Sequence, residues 1–174
     1  MQKKTELITN KDGSIFHLNL LPGDISTKIV IVGDPGRVDM LASLMDNIRV
    51  KKENREFHTV TGSFENSEIT VISSGIGTDN IDILVNELDA LVNIDLNTGI
   101  CNEEPVHLLL SGLAHREDCE PMFLLVPACL PKQQSGSMDF CISMKDMTGY
   151  LIQDWLIPLQ NILSGQTHSP ILML

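Results

Sequence analysis

Eleven residues near the start of the chain, Lys28 to Val38 (K-I-V-I-V-G-D-P-G-R-V), have the composition of an anion-binding turn. The β-branched run Ile29–Val32 predicts a buried strand, and a helix is predicted to follow the turn as far as about Asp46. A helix start has unpaired N–H groups, glycine admits a ligand to the backbone, and a guanidinium binds phosphate-like groups through two donors. Gly33 and Arg37 are therefore candidate oxyanion ligands, although ordinary strand–helix turns also have this spacing.

A second glycine-containing loop, Ser74–Asn80, follows another predicted strand, Ile69–Ser73. Only two glycines stand in G-x-G register, so the pattern disfavours a dinucleotide-binding Rossmann protein. Asp79 or Asn80 is predicted to cap a helix whose apolar residues recur every three or four positions from Ile81 to Val92. Two strand–loop–helix units in succession indicate an α/β domain whose loops gather at one sheet edge.

The segments around these two units carry weaker patterns. Alternation predicts an edge strand over Ser14–Leu20 and a strand over Asn54–Phe64. The charged segment Val50–Glu53 is predicted to be solvated. Leu21–Asp24 and Glu65–Ser67 are predicted turns. On residue type alone, His17 in its apolar context is more often packed than catalytic, and Arg55 is by default a solvated charge.

Composition limits the class of protein. A length of 174 residues fits one domain or the larger part of one, and a net charge of −11 argues against a nucleic-acid partner, which needs basic patches. No apolar run is long enough to span a bilayer, and the N-terminus leads into no signal-type apolar core, so we expect a cytoplasmic protein without a membrane partner.

The cysteines give no metal or disulfide pattern. None of the four forms a C-x-x-C pair, and His107 and His115 do not complete a zinc motif. Neither a disulfide framework nor a zinc site is therefore expected. The cysteines are Cys101, Cys119, Cys129 and Cys141.

Five motifs in order resemble a known family, the nucleoside phosphorylases, and in particular the uridine phosphorylase branch. They are I-F-H-L-N-L (15–20), G-D-P-G-R (33–37), N-R-E-F (54–57), S-S-G-I-G (73–77) and V-N-E-L-D-A-L-V-N-I-D-L (85–96). The resemblance covers about Glu6 to Leu108 and implies a three-layer α/β/α sandwich with a mixed central sheet. It also implies phosphorolysis, in which inorganic phosphate, the co-substrate, attacks the anomeric carbon of a nucleoside and the base departs. No other cofactor is implied, apart from a possible potassium ion.

The resemblance also assigns roles to individual residues. Such enzymes are homo-oligomers built from dimers, often hexamers, and their sites are shared between subunits. The implied phosphate ligands are Gly33, Arg37 and, from the neighbouring subunit, Arg55. The implied ribose ligand is His17, also from that neighbour. The implied ligands of a monovalent cation are Glu56, Ile76 and Asn80. Asn80 stands where the family usually has a serine.

After Leu108 the chain departs from the family, which continues with R-I-G-T-S-G-G and supplies a second phosphate arginine and a threonine there. If the third base of each codon is read with the first two of the next, Gly112–Cys119 can encode I-G-T-S-G-G-L. Gln134–Cys141 can similarly encode I-G-F-D-G-L-L. Some positions are fixed by the genetic code, because Asp118 followed by Cys119 can give only leucine in this offset frame.

We interpret this departure as the loss of one base near codons 107–110. Residues 1–109 are then the N-terminal portion of a truncated nucleoside phosphorylase-like domain, and residues 110–174 a non-homologous, irregular tail. The hypothesis predicts that the chain as written does not catalyse phosphorolysis. An inactive remnant that binds phosphate or pairs with intact subunits is the alternative function. Purine nucleoside phosphorylases and nucleosidases stay open within the family, because the base-selecting residues lie beyond Leu108.

Overall fold

The computed structural model describes residues 7–104, 106–112 and 122–126. Two helices and eight strands occur there, six of the strands in one mixed sheet of order β2-β3-β4-β1-β7-β8. The elements are β1 (Lys28–Val32), α1 (Pro35–Ala42), β2 (Asn47–Asn54), β3 (Phe57–Phe64), β4 (Ser67–Ser73), α2 (Thr78–Asn93), β5 (Ile94–Asp95), β6 (Ile100–Cys101), β7 (Leu108–Gly112) and β8 (Met122–Val126). A separate two-stranded sheet joins β5 to β6.

Three parallel strands form the centre of the larger sheet. β1 pairs in parallel with β4 on one side and with β7 on the other, and β2, β3 and β8 extend the sheet with antiparallel pairings. Parallel strands are normally buried on both faces, which explains why β1 and β4 are continuous β-branched runs and not alternating ones. The predicted mixed central sheet is confirmed.

Helices α1 and α2 cover opposite faces of the sheet. Ile29 packs in one cluster with Leu84 and Leu88 of α2, while Val30 is buried outside that cluster. The buried residues of α1 lie against β1, β3 and β4. Because neighbouring side chains of a strand point to opposite faces, the arrangement is helix, sheet, helix, which confirms the predicted α/β fold.

Helix α1 is shorter than predicted and ends at Ala42, not near Asp46. Its last carbonyls are satisfied by short-range bonds from Leu44 and Met45, which tighten the final turn. The N–H of Asp46 then donates to Ser63 O at 2.8 Å and draws the chain into the sheet. The pairing partner that ends this helix is distant in sequence, so the local pattern could not indicate it.

The charged segment Val50–Glu53, which is predicted to be solvated, is part of a strand. β2 occupies the sheet edge, with half-buried Val50 and Lys52 alternating with exposed Lys51 and Glu53. Charged side chains on an edge strand discourage pairing with other chains, and this is why their abundance here does not indicate a loop. β3 consequently begins at Phe57, three residues later than predicted.

The N-terminal segment is a closed loop and not the predicted edge strand. Ile15 forms only a single bridge with Thr9, and the chain then turns so that the N–H of Ile15 donates to Leu20 O at 2.9 Å. Ile15, Leu18 and Leu20 are buried in the main core cluster. The weak alternation at 14–20 therefore reports burial of these side chains and not strand pairing.

The two predicted turns are present, but the predicted helix cap is not. A turn lies within Leu21–Asp24, and Glu65 and Asn66 adopt positive φ angles of 45° and 65° between β3 and β4. Helix α2 is flanked by Gly77 with a φ of 133°, and no side chain caps it. Gly77 takes the cap position in a conformation that favours glycine, and the helix begins at Thr78. Asp79 and Asn80 therefore lie inside the helix and cannot cap it.

The chain beyond the predicted boundary at residue 109 contains ordered strand. β7 continues to Gly112 and Met122–Val126 pairs with it as β8, while the other residues of the predicted tail lie outside the described part of the chain.

Cys101 is disulfide-bonded, so the expectation of no disulfide is wrong at this residue. Spacing rules detect only local cysteine motifs, whereas the fold decides which cysteines meet. In the described ranges, no helix has the length and hydrophobicity needed to cross a membrane.

We expect Gly62→Ala to destabilise the sheet. A β-carbon at Gly62 would lie 2.4 Å from Asn47 O and 2.8 Å from Met45 Sδ, where β2 crosses β3 with an irregular register. Because backbone must shift to accommodate the methyl group, the free energy of unfolding should fall by about 1–3 kcal/mol in urea titrations. Ser63→Ala on the same strand is the control, and equal stability of the two variants would contradict the prediction.

Candidate functional site

Three parallel strands end at one edge of the sheet, and two glycine loops lie there in the described part of the chain. Gly33 follows β1, Gly75 follows β4, and β7 ends at Gly112, which pairs with Ile31. A β-carbon at Gly33 would lie 3.8 Å from Gly75 O, so the two glycine loops are adjacent. Ser74 N–H also donates to Val32 O at 2.9 Å and ties the loops together. Ligands of α/β proteins commonly bind at this edge of the sheet.

In the turn after β1, two backbone N–H groups are hydrogen-bonded within the turn itself. Asp34 is the N-cap of α1, and its Oδ1 accepts the N–H of Gly36 at 2.6 Å. The N–H of Arg37 donates to Asp34 O at 3.1 Å. Two helix-start donors that were predicted to be unpaired are therefore bonded, that of Gly36 to the capping carboxylate and that of Arg37 to a backbone carbonyl. The half-buried Arg37 side chain supplies the positive charge of this turn.

A second group of predicted residues lies together around Phe16. The guanidinium carbon of Arg55 is 5.3 Å from the centroid of the Phe16 ring, a cation–π distance. The same ring meets the His17 imidazole edge-on, with 4.9 Å between centroids. Asn54 Nδ2 donates to His17 O at 2.6 Å and fixes the loop against the end of β2. The structure therefore brings Arg55 and His17 to one surface.

Arg55 itself occupies an unusual backbone position. It is exposed, and its φ of 56° places it in the left-handed region within the two-residue turn between β2 and β3. A residue with a β-carbon is disfavoured there, and such strain is common at binding sites. Arg55 therefore lies in the turn and not in the predicted strand Asn54–Phe64, because that strand starts only at Phe57.

His17 is held by a carboxylate that the sequence analysis missed. Nδ1 of His17 lies 2.5 Å from Glu87 Oε1, and the Glu87 carboxylate also accepts the N–H groups of His17 and Leu18, the latter at 2.9 Å. Glu87 lies among the apolar positions of α2, between Leu84 and Leu91. A glutamate in the apolar stripe of an amphipathic helix was the signal that could have identified it.

The three candidate cation ligands surround the second glycine loop. A β-carbon at Gly75 would lie 3.0 Å from Asn80 Nδ2 and 3.2 Å from Glu56 Cβ, whereas the Ile76 residue is 98% exposed. Ser73 Oγ donates to Glu56 O at 2.6 Å and anchors the hairpin turn to β4. Carboxylate, amide and backbone oxygens are the ligand types that a monovalent cation takes, and these three residues carry one of each. Within the described ranges, no group of three or more His, Cys, Asp or Glu side chains could hold a metal ion.

A mixed sheet with glycine loops at the carboxyl ends of two parallel strands is the architecture of α/β proteins, which commonly bind small ligands at that edge. The model of the phosphorylase superfamily matches residues 27–113, which is half of the chain. The chain therefore belongs to this superfamily, as a member of the nucleoside phosphorylase family of pentosyltransferases.

Individual relatives agree with this assignment. The chain is 38% identical over 86 residues to a guanosine phosphorylase of Halorubrum lacusprofundi, covering 49% of this chain and 36% of the relative. It is 36% identical over 81 residues to a uridine phosphorylase of Thermococcus kodakarensis, covering 47% and 29% of the two chains. The chain thus spans about a third of the length of these relatives.

A solved structure matches at the level of the fold as well. The chain is similar, with a TM-score of 0.53 and 38% identity, to a Trypanosoma brucei nucleoside phosphorylase that shows uridine phosphorylase activity. The match covers 56% of this chain and 30% of the other. This agreement extends the family assignment from sequence motifs to the arrangement of the sheet.

Proposed function

We propose that this chain derives from a nucleoside phosphorylase that cleaves uridine with inorganic phosphate, giving uracil and ribose 1-phosphate. The observation that carries the proposal is the Gly33–Arg37 turn, which stands at the carboxyl end of β1 inside the segment that matches the family. Of the two bases suggested by the relatives, uracil is chosen because the sequence motifs resemble the uridine branch. A guanosine phosphorylase among the relatives keeps a purine nucleoside as the alternative substrate.

The chemistry requires a fixed phosphate and no covalent nucleophile. The Gly33 amide and the Arg37 guanidinium would hold phosphate so that one oxygen lies in line with the anomeric carbon. That oxygen forms the new bond while the bond to the base breaks, and the electron pair leaves with the base. Donors that are preorganised around the dianion stabilise the charge that moves during this step.

Arg55 and His17 are proposed to act in the site of a neighbouring subunit. Their common position around Phe16 supports this, because one protruding surface would then deliver both a phosphate ligand and a ribose ligand. The left-handed turn at Arg55 projects from the end of the hairpin, which suits a residue that reaches across an interface. A homo-oligomer built from dimers is the assembly that this arrangement requires.

A monovalent cation is proposed beside this surface. Glu56, Asn80 and the backbone of Ile76 would share potassium with the same residues of a second subunit. The proximity of Glu56 and Asn80 to Gly75 supports the placement, and the exposure of Ile76 leaves room for a second chain. The cation would stiffen the loop next to the phosphate turn. A cytoplasmic location stays a prediction from the sequence.

We propose that the 174-residue chain binds phosphate without turning over nucleoside, as an inactive remnant would. The observation in favour is at β7, where Ser111 and Gly112 stand beside the end of β1 and supply no cation. Ser111 is 1% exposed, and its Oγ has no hydrogen-bond partner among the described residues. Where the resemblance implies a second phosphate arginine, this strand end would offer only a buried hydroxyl without a hydrogen-bond partner among the described residues.

Phosphate titration of the 174-residue chain by calorimetry, with a parallel assay of uracil release, tests the proposal. We expect saturable phosphate binding and no uracil above the buffer blank. Sulfate at the same concentration is the competitor that controls for a general anion site, and we expect it to bind more weakly than phosphate. Rapid uridine cleavage would contradict the inactive form, and absence of any phosphate binding would contradict the anion site itself.

A further inference from the structure

Glu87 satisfies three N–H groups with one carboxylate. Its Oε2 accepts the backbone N–H of Leu18 at 2.9 Å, both oxygens are 3.1 Å from the backbone nitrogen of His17, and Oε1 is 2.5 Å from Nδ1 of His17. The side chain is only 12% exposed, so water does not easily replace these bonds. A carboxylate carries no proton to donate at neutral pH and acts here purely as an acceptor.

This arrangement determines which ring nitrogen of His17 carries the proton. A neutral imidazole has one donor and one acceptor nitrogen, and the hydrogen bond at one nitrogen fixes the role of the other. Because Glu87 accepts, Nδ1 must hold the hydrogen, which leaves Nε2 as an acceptor. The His17 side chain is 28% exposed, and its backbone is fixed independently by Asn54. The ring is therefore held in both orientation and tautomer while it remains partly open to solvent.

We infer that Glu87 is a positioning residue that keeps His17 in the Nδ1–H tautomer and presents its Nε2 lone pair to a hydroxyl donor. This inference rests on the proposed function, in which His17 faces the ribose of a nucleoside in the neighbouring subunit. A sugar hydroxyl can donate to the bare Nε2, whereas in the opposite tautomer Nε2 carries the hydrogen and can only donate. Carboxylate–histidine pairs commonly orient a functional imidazole in this way.

Nuclear magnetic resonance of the ¹⁵N-histidine-labelled 174-residue chain tests the inference. Spectra that correlate ring nitrogens with ring protons distinguish the two tautomers, and the loss of one signal set in His17→Gln assigns His17 among the five histidines. Spectra recorded at a pH of about 8.5, above the usual histidine range, observe the neutral ring. We expect the Nδ1–H tautomer in the unsubstituted chain.

Glu87→Gln is the informative variant, because glutamine replaces one acceptor oxygen with an NH₂ donor. We expect the ratio of Nδ1–H to Nε2–H tautomers to fall by about tenfold or more, as loss of a charge-assisted hydrogen bond implies. Glu87→Asp, which retains a carboxylate, should restore part of the Nδ1–H population. Asp82→Asn removes an exposed carboxylate from the same helix and should leave the His17 spectrum unchanged.

Two outcomes would overturn the inference. One is an Nε2–H tautomer in the unsubstituted chain, which decides the question even if the variants do not fold. The other is a folded Glu87→Gln chain with an unchanged tautomer ratio. Failure of the proposed function is distinguishable from both, since absent phosphate binding or absent phosphorolysis would leave the tautomer of His17 as it is.

Discussion

Restoring the reading frame ahead of Gly112 is expected to raise uridine phosphorolysis at least about a thousandfold above that of the 174-residue chain. A single donor to a developing charge contributes roughly a hundredfold to a thousandfold, and the restored chain would regain a base pocket as well. The offset frame permits an arginine across the codons of Ser111 and Gly112. Because Gly112 pairs with Ile31, that arginine would stand beside the end of β1 and close to Gly33.

The nucleotide sequence around codon 108 is the first control for this expectation. It should spell I-G-T-S-G-G-L in the offset frame from Gly112 to Cys119. The second control is the restored chain with its new arginine changed to alanine, which should lose most of the recovered rate. Codons that do not spell the motif, or a folded restored chain without activity, would show that the frame hypothesis is wrong.

Arg37→Ala is expected to weaken phosphate binding by about a hundredfold, the scale of removing one charged, bidentate donor from an oxyanion site. The helix-start amides cannot compensate, since the N–H groups of Gly36 and Arg37 are already bonded to Asp34. Arg37→Lys should be intermediate, because an ammonium restores the charge but not the planar pair of donors. Calorimetric titration with phosphate measures both variants against the unsubstituted chain.

Arg49→Ala is the matched control for the loss of positive charge. Arg49 is exposed on β2, where it bonds Glu68 Oε1 at 2.8 Å and Gly23 O at 2.7 Å. Its removal should leave phosphate affinity within about twofold, because exposed charges are strongly screened by salt. Equal losses in the Arg37 and Arg49 variants would mean that phosphate responds only to net charge.

Much of the fold was predictable because its signals are local. The β-branched run at β1, the Glu65–Ser67 turn and the apolar face of α2 each depend on residues that are neighbours in sequence. The same holds for the adjacency of the two glycine loops, which follows from two consecutive strand–loop–helix units.

The features that sequence reasoning missed depend on distant partners. The edge segment β2 is a strand because it pairs with β3 through backbone hydrogen bonds. Helix α1 ends early because the N–H of Asp46 donates to Ser63 O in the sheet. At the site, Glu87 meets His17 across seventy residues of chain; the apolar stripe of α2 marks Glu87 as unusual but does not indicate its partner. The phosphate turn has fewer unpaired N–H donors than predicted, because Asp34, next to Gly33, caps helix α1.

A crystal structure of the chain with phosphate tests the assignment of the anion site most directly. We expect tetrahedral density at the end of β1, within hydrogen-bond distance of the Gly33 N–H and the Arg37 guanidinium. Density elsewhere, with Arg37 turned away from the turn and the Gly33 N–H bonded to protein backbone, would contradict both the phosphate site and the nucleoside chemistry that depends on it.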